Sequence, residues 1–349
     1  MKIATTLNYA GDFRASARQV SAMEKAGLDL VWVAEAYGFD SPSLMGYLAA
    51  LTERVEIGSA ILPIYTRTPT VLAMTAAGID ALSEGRFHLG LGSSGPQVIE
   101  GFHGVPYDAP LGRTREIAEI CRTVWAREGL LTHDGRYYHL PLPPGQGAGL
   151  GRPLKLINHP VRSRIPIWVA ALGEKNVTMT AEIAEGWLPY MFIAEKAKDV
   201  WGAALATGSA RRDPALGPLQ ICAGGLLAIG EGDEVARVRD LGRPNVALYV
   251  GGMGARGHNF YNDLACRYGY EQDAAEIQDL YLEGKKDEAA ARVPAEFLAL
   301  TSLAGPRSWV AERIAAMREA GVTHLQVTPV PTGGQSEASL IREIKELAA

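Results

Sequence analysis

The segment Gly85-Arg86-Phe87-His88-Leu89-Gly90-Leu91-Gly92-Ser93-Ser94-Gly95-Pro96-Gln97 carries a G-x-G-x-x-G pattern at Gly90, Gly92 and Gly95, at the end of an apolar run. Glycines at that spacing let a backbone approach a pyrophosphate in dinucleotide-binding folds. Such a fingerprint closes the first strand, opens a helix at once and finds an acidic ribose partner about 20 residues on. Here three strand–helix units come first, Pro96 is expected to interrupt any immediate helix, and Arg113 to Trp125 reads as a helix where a second strand should end. Gly92, Ser93, Ser94 and Gln97 instead read as a small-residue loop at the mouth of a barrel, its hydroxyls and backbone donors facing a ring or a phosphate.

Other loops offer complementary chemistry. In Gly58 to Pro69 the apolar residues Ala60, Ile61 and Leu62 could underlie something planar, with Ile61 and Leu62 as the platform. Arg67 can hold a phosphate or carboxylate through paired hydrogen bonds, or pair with a structural acid. Glu35, beside Tyr37, can take a ligand hydroxyl or a salt bridge. Ala170-Ala171-Leu172-Gly173 precedes a helix over Val177–Ala184, whose amino terminus with Lys175 makes a phosphate seat that Glu174 partly opposes. His103 and Tyr65 are the acid–base candidates. No metal-spaced cluster or Ser-His-Asp order emerges, so a metal hydrolase is disfavoured.

The elements that must hold these loops are legible as repeats. A helix ends in glycine and a short apolar strand begins at Gly27, Gly85, Gly186 and Gly321. The preceding helices are amphipathic, with Phe13, Ala17, Val20 and Met23 on one face and Val310, Ile314 and Met317 on another. Strands are expected at Lys2–Leu7, Leu28–Val33, Val55–Ala60, Arg86–Leu91, Ile165–Ala170, Trp187–Pro189, Leu219–Ile229 and His324–Thr328. Eight strand–helix units predict a single-domain α/β TIM barrel, (β/α)8, with active-site loops at the strands' carboxyl ends. An open doubly wound sheet is the alternative. Two insertions supply the surplus length: Leu130–Arg164, with a hairpin over Leu131–Leu140, and Gly251–Gly305, which adds helices and whose opening run Gly251 to Tyr261 either folds over the mouth or serves oligomer packing or loop structure.

Composition narrows the classes. With 21% charged residues and a net charge of −5, no basic field exists for nucleic acid. Cys121, Cys222 and Cys266 form no C-x-x-C pair, which fits a reducing compartment. The opening Met1–Leu7 reads as a strand with no secretory signal, and no apolar run is long enough to span a bilayer. A soluble cytoplasmic enzyme acting on a small molecule is expected.

On these residues the chain resembles the bacterial-luciferase-like superfamily of TIM-barrel flavin and deazaflavin oxidoreductases. Within it, the branch using coenzyme F420 is the most similar, including methylene-tetrahydromethanopterin reductase and F420-dependent glucose-6-phosphate dehydrogenase. The resemblance is carried by Ala26 to Glu35, Ile57 to Ile61, Tyr65 to Pro69, Arg86 to Gly92, Ala170 to Gly173, and Gly305-Pro306 through Ala320-Gly321-Val322. It implies a hydride-transferring oxidoreductase with the cofactor tricycle across the barrel mouth and a non-prolyl cis peptide at Ala60–Ile61, Ile61 backing the ring. It also implies Glu35 at the cofactor side chain, Gly92, Ser93 and Ser94 near the ring and its polyol chain, and Ala170 to Gly173 near the phosphate. Gln97, Arg67 and Lys175 follow less directly. FMN is the alternative cofactor, in a monooxygenase, and a non-catalytic F420 carrier is the second alternative. A homodimer through helices flanking the early strands is implied as well. Departures exist: Ala36 and Ser94-Gly95-Pro96-Gln97 replace residues of the sugar-phosphate branch, and Thr6 stands near a glutamate of the reductase branch, leaving the proton donor unassigned.

Overall fold

The computed structural model describes residues 1–7 and 11–349. Eight parallel strands close on themselves: β1 (Lys2–Thr6), β2 (Leu30–Val33), β3 (Glu56–Ser59), β4 (Phe87–Gly92), β5 (Ile167–Ala170), β6 (Gly186–Leu188), β7 (Gln220–Ile229) and β8 (His324–Pro329). Each pairs with its successor, and β8 returns to β1 through Lys2 opposite His324 and Thr5 opposite Val327. Every expected strand is present in a closed TIM barrel, and the open sheet is excluded by that closure.

Strand ends differ from expectation for local reasons. Leu28, Asp29 and Val55 lie outside the assigned strands, although the Asp29 N–H still donates to Ile3 O and its carbonyl accepts from Glu56 N, and two carboxylates tie down the neighbouring N–H groups. The Glu24 carboxylate accepts from the N–H groups of Glu53, Arg54 and Val55, and Asp29 Oδ2 accepts from Ile3 N at 2.6 Å. Two short strands were not expected: Leu62–Pro63 extends beside β4, and Leu303–Gly305 pairs with the upper half of β7.

The repeated glycines divide into two kinds. Gly27, Gly85 and Gly321 have positive φ after their helices, as expected. Gly186 does not: it is the first residue of β6, and a Cβ there would lie 2.1 Å from the Trp168 ring. Its role is to admit the indole into the barrel.

Strand alternation sorts the core into two layers. Ile3, Val31, Ile57, Phe87, Leu89, Ile167, Trp187 and Leu325 are buried against the helices in the main apolar cluster. Ala4, Leu30, Trp32, Trp168 and Cys222 fill the barrel interior, with Ala60 and Leu188 above them. Burying each large apolar side chain stabilises the fold by about 1.5–3 kcal/mol before entropy is counted.

The insertions take the expected positions with one change of extent. Residues 130–164 contain a short antiparallel hairpin, His133 opposite Leu140. Between β7 and Leu303–Gly305 the helical excursion begins earlier than expected, at Asp233–Asp240, and runs through Ala295–Leu300. Pro96 likewise starts the helix Pro96–Gly101 instead of interrupting one, because proline is tolerated in a first turn where its missing N–H has no partner to lose.

Candidate active site

The carboxyl ends of β3, β4 and β5 form a flat seat. The Ala60–Ile61 peptide is cis, and Ile61 turns its side chain toward β4. A Cβ on Gly92 would fall 2.8 Å from Ile61 Cγ1, so the glycine at this position is what lets the two strand ends interlock. Ile61 is half-buried, whereas Leu62 is fully buried in the main core and paired opposite Leu91. Leu62 therefore cannot serve as the second platform residue, since its side chain is enclosed in the core beside β4. Ser93 and Ser94 follow, half-buried, with Ser94 at φ 58°; Gln97 is exposed in the first turn of the short helix.

The loop after β5 is pinned from behind. Trp187 Nε1 donates to Ala171 O and Trp201 Nε1 donates to Leu172 O, both at 2.9 Å. These indoles satisfy the loop carbonyls from the core side. Ala170 is half-buried at the seat, while the Ala171 side chain is buried and offers only backbone. Gly173 caps the helix Glu174–Ile183, with open space where its Cβ would stand, and Lys175 is exposed. A small anion would meet backbone donors there.

Glu35 and Arg67 are both near the seat, but each is engaged with the other. Arg67 Nη2 donates to Glu35 Oε2 at 2.9 Å and Nη1 to Oε1, while Ser41 N and Oγ donate to the same carboxylate. The side chains are only 8% and 16% exposed, so the pair braces the β2 and β3 loops as a unit. Sequence spacing alone leaves both the ligand and the structural reading open; the fork geometry assigns the charges to each other.

Aromatic side chains wall the mouth. Tyr65, after β3, lies 5.2 Å from Tyr107, after β4. Tyr190, after β6, lies 4.6 Å from Tyr249, which lies 4.7 Å from Tyr261 in the second insertion. Burial and the neighbouring Tyr249 and Tyr107 push the Tyr261 phenol above its ordinary range. The second insertion thus reaches the mouth.

The acid–base candidates are constrained within this wall. Tyr65 donates its hydroxyl proton to Asp108 O at 2.7 Å, and burial with Tyr107 beside it holds the phenol well above the usual value. His103 is half-buried, edge-on to Phe102 at 5.1 Å, and its Nε2 is buried without a hydrogen-bond partner. Sequence reasoning missed Gln326, Tyr107 and Tyr249 as mouth residues, whereas Tyr190 opens the segment Tyr190–Phe192 expected at the sixth strand's carboxyl end. For Gln326 the signal existed, because His324, Gln326 and Thr328 alternate through an otherwise apolar strand.

A cavity of about 560 Å³ between Pro110–Ala126 and Glu174–Ile183 lies on the outer flank, away from the strand ends. Three of its four arginines are already committed, Arg115 to Glu182 and both Arg122 and Arg164 to Glu185. Among the described residues no three His, Cys, Asp or Glu side chains gather as a metal site. No described helix is long and apolar enough to cross a membrane.

Residues 1–324 match the model of the family described as luciferase-like monooxygenase. A Mycobacterium tuberculosis protein named "putative coenzyme F420-dependent oxidoreductase" is 40% identical over 353 residues, covering 100% of this chain and 98% of that one. A 5,10-methylenetetrahydromethanopterin reductase of Archaeoglobus fulgidus is 26% identical, covering 92% of this chain and 91% of the relative. The solved coenzyme F420-dependent tetrahydromethanopterin reductase of Methanopyrus kandleri superposes with a TM-score of 0.77 at 20% identity, covering 98% and 96% of the two chains.

Proposed function

The chain belongs to the luciferase-like monooxygenase family, and from that premise we propose that it is a coenzyme F420-dependent oxidoreductase acting on a small organic substrate. Its relative at 40% identity over the full length carries that description. The observation that carries the reading in this chain is the interlock of Ile61 with Gly92, which makes a flat apolar seat at the strand ends. When bound, the cofactor supplies the two-electron, hydride-transferring centre.

The residues fit such a group. Ala60 and Ile61 back a ring, and Gly92, Ser93, Ser94 and Gln97 border it. Ala170, Ala171, Leu172 and Gly173, with the helix amino terminus and Lys175, face a phosphate. The Glu35–Arg67 pair holds the wall between two of these loops. The tyrosine wall excludes water and orients substrate, which is the protein's main contribution to a hydride transfer. His103 is kept as an acid–base candidate by its buried, unpartnered Nε2. The chain is read as one barrel domain. Dimerisation is read from the exposed apolar face of helix Pro69–Leu82, where Val71, Met74 and Leu82 are 41%, 55% and 66% exposed beside Tyr47.

Fluorescence titration of purified protein with F420 and with FMN tests the reading. Micromolar or tighter F420 binding supports it. Binding of FMN alone, or flavin-dependent oxygen uptake, would establish instead the monooxygenase that the family description names. F420 binding without turnover across a broad substrate panel would favour a carrier.

A further inference from the structure

The barrel interior contains a hydrogen-bond chain whose donors all point the same way. Trp32 Nε1 donates to Cys222 Sγ at 3.3 Å, Cys222 Sγ to Gln326 Oε1 at 3.8 Å, and Gln326 Nε2 to Thr6 Oγ1 at 3.0 Å. The indole fixes the direction, because it can only donate. The thiol then keeps its proton for the amide oxygen; burial pushes Cys222 up to about 12, so it stays protonated at neutral pH. An amide whose oxygen is occupied turns its NH₂ to Thr6. The Thr6 oxygen accepts that bond and has its own proton left to give.

The chain runs from buried to open ground. Trp32 and Cys222 are buried, Gln326 is half-buried and Thr6 is exposed at the carboxyl end of β1. Among the described residues no acceptor takes the Thr6 proton. Thr6 and Gln326 stand on β1 and β8, whereas the ring seat is built on β3, β4 and β5, with Ala170 four staves from Thr6 around the closed barrel. A donor at this place faces whatever lies across the mouth from the ring.

We propose that the Thr6 hydroxyl is a specificity-determining hydrogen-bond donor to a neutral oxygen of the organic substrate, a carbonyl or hydroxyl, and that Gln326, Cys222 and Trp32 are positioning residues that aim it. The proposal rests on the mouth being the substrate site of the oxidoreductase read above. A carboxylate or phosphate is disfavoured as the recognised group: Arg67 and Arg113 are paired with Glu35 and Asp108, and Lys175 follows β5, four staves around the barrel from β1. The same donor chemistry could meet a carbonyl of the cofactor instead, and the test separates the two.

The test uses the full-length wild-type protein, Thr6→Val, Thr6→Ser and Gln326→Leu, each checked for an unchanged thermal transition. Affinities are measured for F420 and for three carbonyl probes, acetone, cyclohexanone and acetophenone, with and without F420. Thr6→Val is expected to weaken the bound ketone by about 3- to 10-fold with F420 affinity unchanged. Thr6→Ser restores the affinity, and Gln326→Leu reduces it part of the way because the hydroxyl is present but no longer aimed. In the infrared, the carbonyl band of the bound probe moves to higher frequency in Thr6→Val and returns in Thr6→Ser. Unchanged ketone affinity in Thr6→Val overturns the proposal, as does a loss of F420 affinity in that variant, which assigns the donor to the cofactor. Failure of all three probes to saturate the wild-type protein overturns it too. Absence of F420 binding to the wild type strikes at the function reading, while ketone binding measured without cofactor still decides the role of Thr6.

Discussion

The two ends of the barrel use the same alternating strand positions in opposite ways. At the amino-terminal end, Lys2 Nζ lies 2.7 Å from Glu56, Glu56 lies 3.5 Å from His88 Nε2, and Trp168 Nε1 donates to His88 Nδ1 at 2.9 Å. Nδ1 accepts, so Nε2 carries the ring proton and turns it to Glu56. At the carboxyl end the inward residues include Ala60, Gly92, Ala170, Leu188 and Gln326, and the donor chain stops at Thr6, whose proton meets no acceptor among the described residues. Polar groups enclosed with their partners hold the strands together; polar groups that stop short of a partner are what a ligand can use. The lower end is a plug and the upper end is a seat.

Emptying the plug should have the largest effect. Trp168→Ala removes a fully buried indole and orphans His88 Nδ1, and should cost about 3–5 kcal/mol in denaturant unfolding. F420 affinity of the folded protein should change less than twofold; a parallel collapse of affinity would mean that plug and seat are one cooperative unit.

Acid titration sharpens the comparison next. His324 is buried at the lower end with Nε2 unpartnered and Nδ1 2.8 Å from Thr323 Oγ1. Burial first, then the charges of Lys2 and His88, hold it near 4 against an ordinary 6.5, with Glu56 and Asp29 opposing. A lowered value means that the contribution to stability is whole above about pH 6.5 and is lost as pH falls through about 4, amounting to at most about 3 kcal/mol. His324→Gln should flatten the thermal transition temperature across that window. Glu56, held at about 2 against burial by His88 and Lys2, should add a second loss between about pH 4.5 and 2. An unaltered pH profile in His324→Gln would break the assignment.

At the seat, Gly92→Val should drive a branched side chain into Ile61 and weaken F420 at least tenfold, with a stability cost of about 1–3 kcal/mol. Wild-type affinity in that variant would place the ring elsewhere. The smallest effect is expected from Tyr65→Phe, about 1 kcal/mol in stability through the lost bond to Asp108 O and less than threefold in F420-dependent turnover. A loss of a hundredfold or more would instead make Tyr65 the proton donor.

Much of the seat is legible in the amino-acid sequence. Ala60–Ile61, Gly92 and the loop at 170–173 follow from strand ends in a barrel, and strand ends follow from apolar runs punctuated by glycine. What is illegible there depends on partners far apart in the chain. Glu35 and Arg67 are 32 residues apart, and only their geometry shows that they neutralise each other. Gly186 reads as a helix terminus because its reason, the Trp168 ring, arrives from a neighbouring strand. Leu62 reads as a platform because its reason for burial, a short strand pairing opposite Leu91, comes from a distant part of the chain.

The sequence by itself determined the eight staves, their order and the end at which the strand–helix loops gather, because periodicity and glycine punctuation are local and parallel strands put all those loops on one face. Only the tertiary structure decided which polar side chains are available there. Availability is set by long-range pairing: Arg67 is claimed across 32 residues, and the Thr6 hydroxyl is aimed by Gln326 from 320 residues away. The first contact needs only β2 beside β3; the second exists only once β8 has closed against β1.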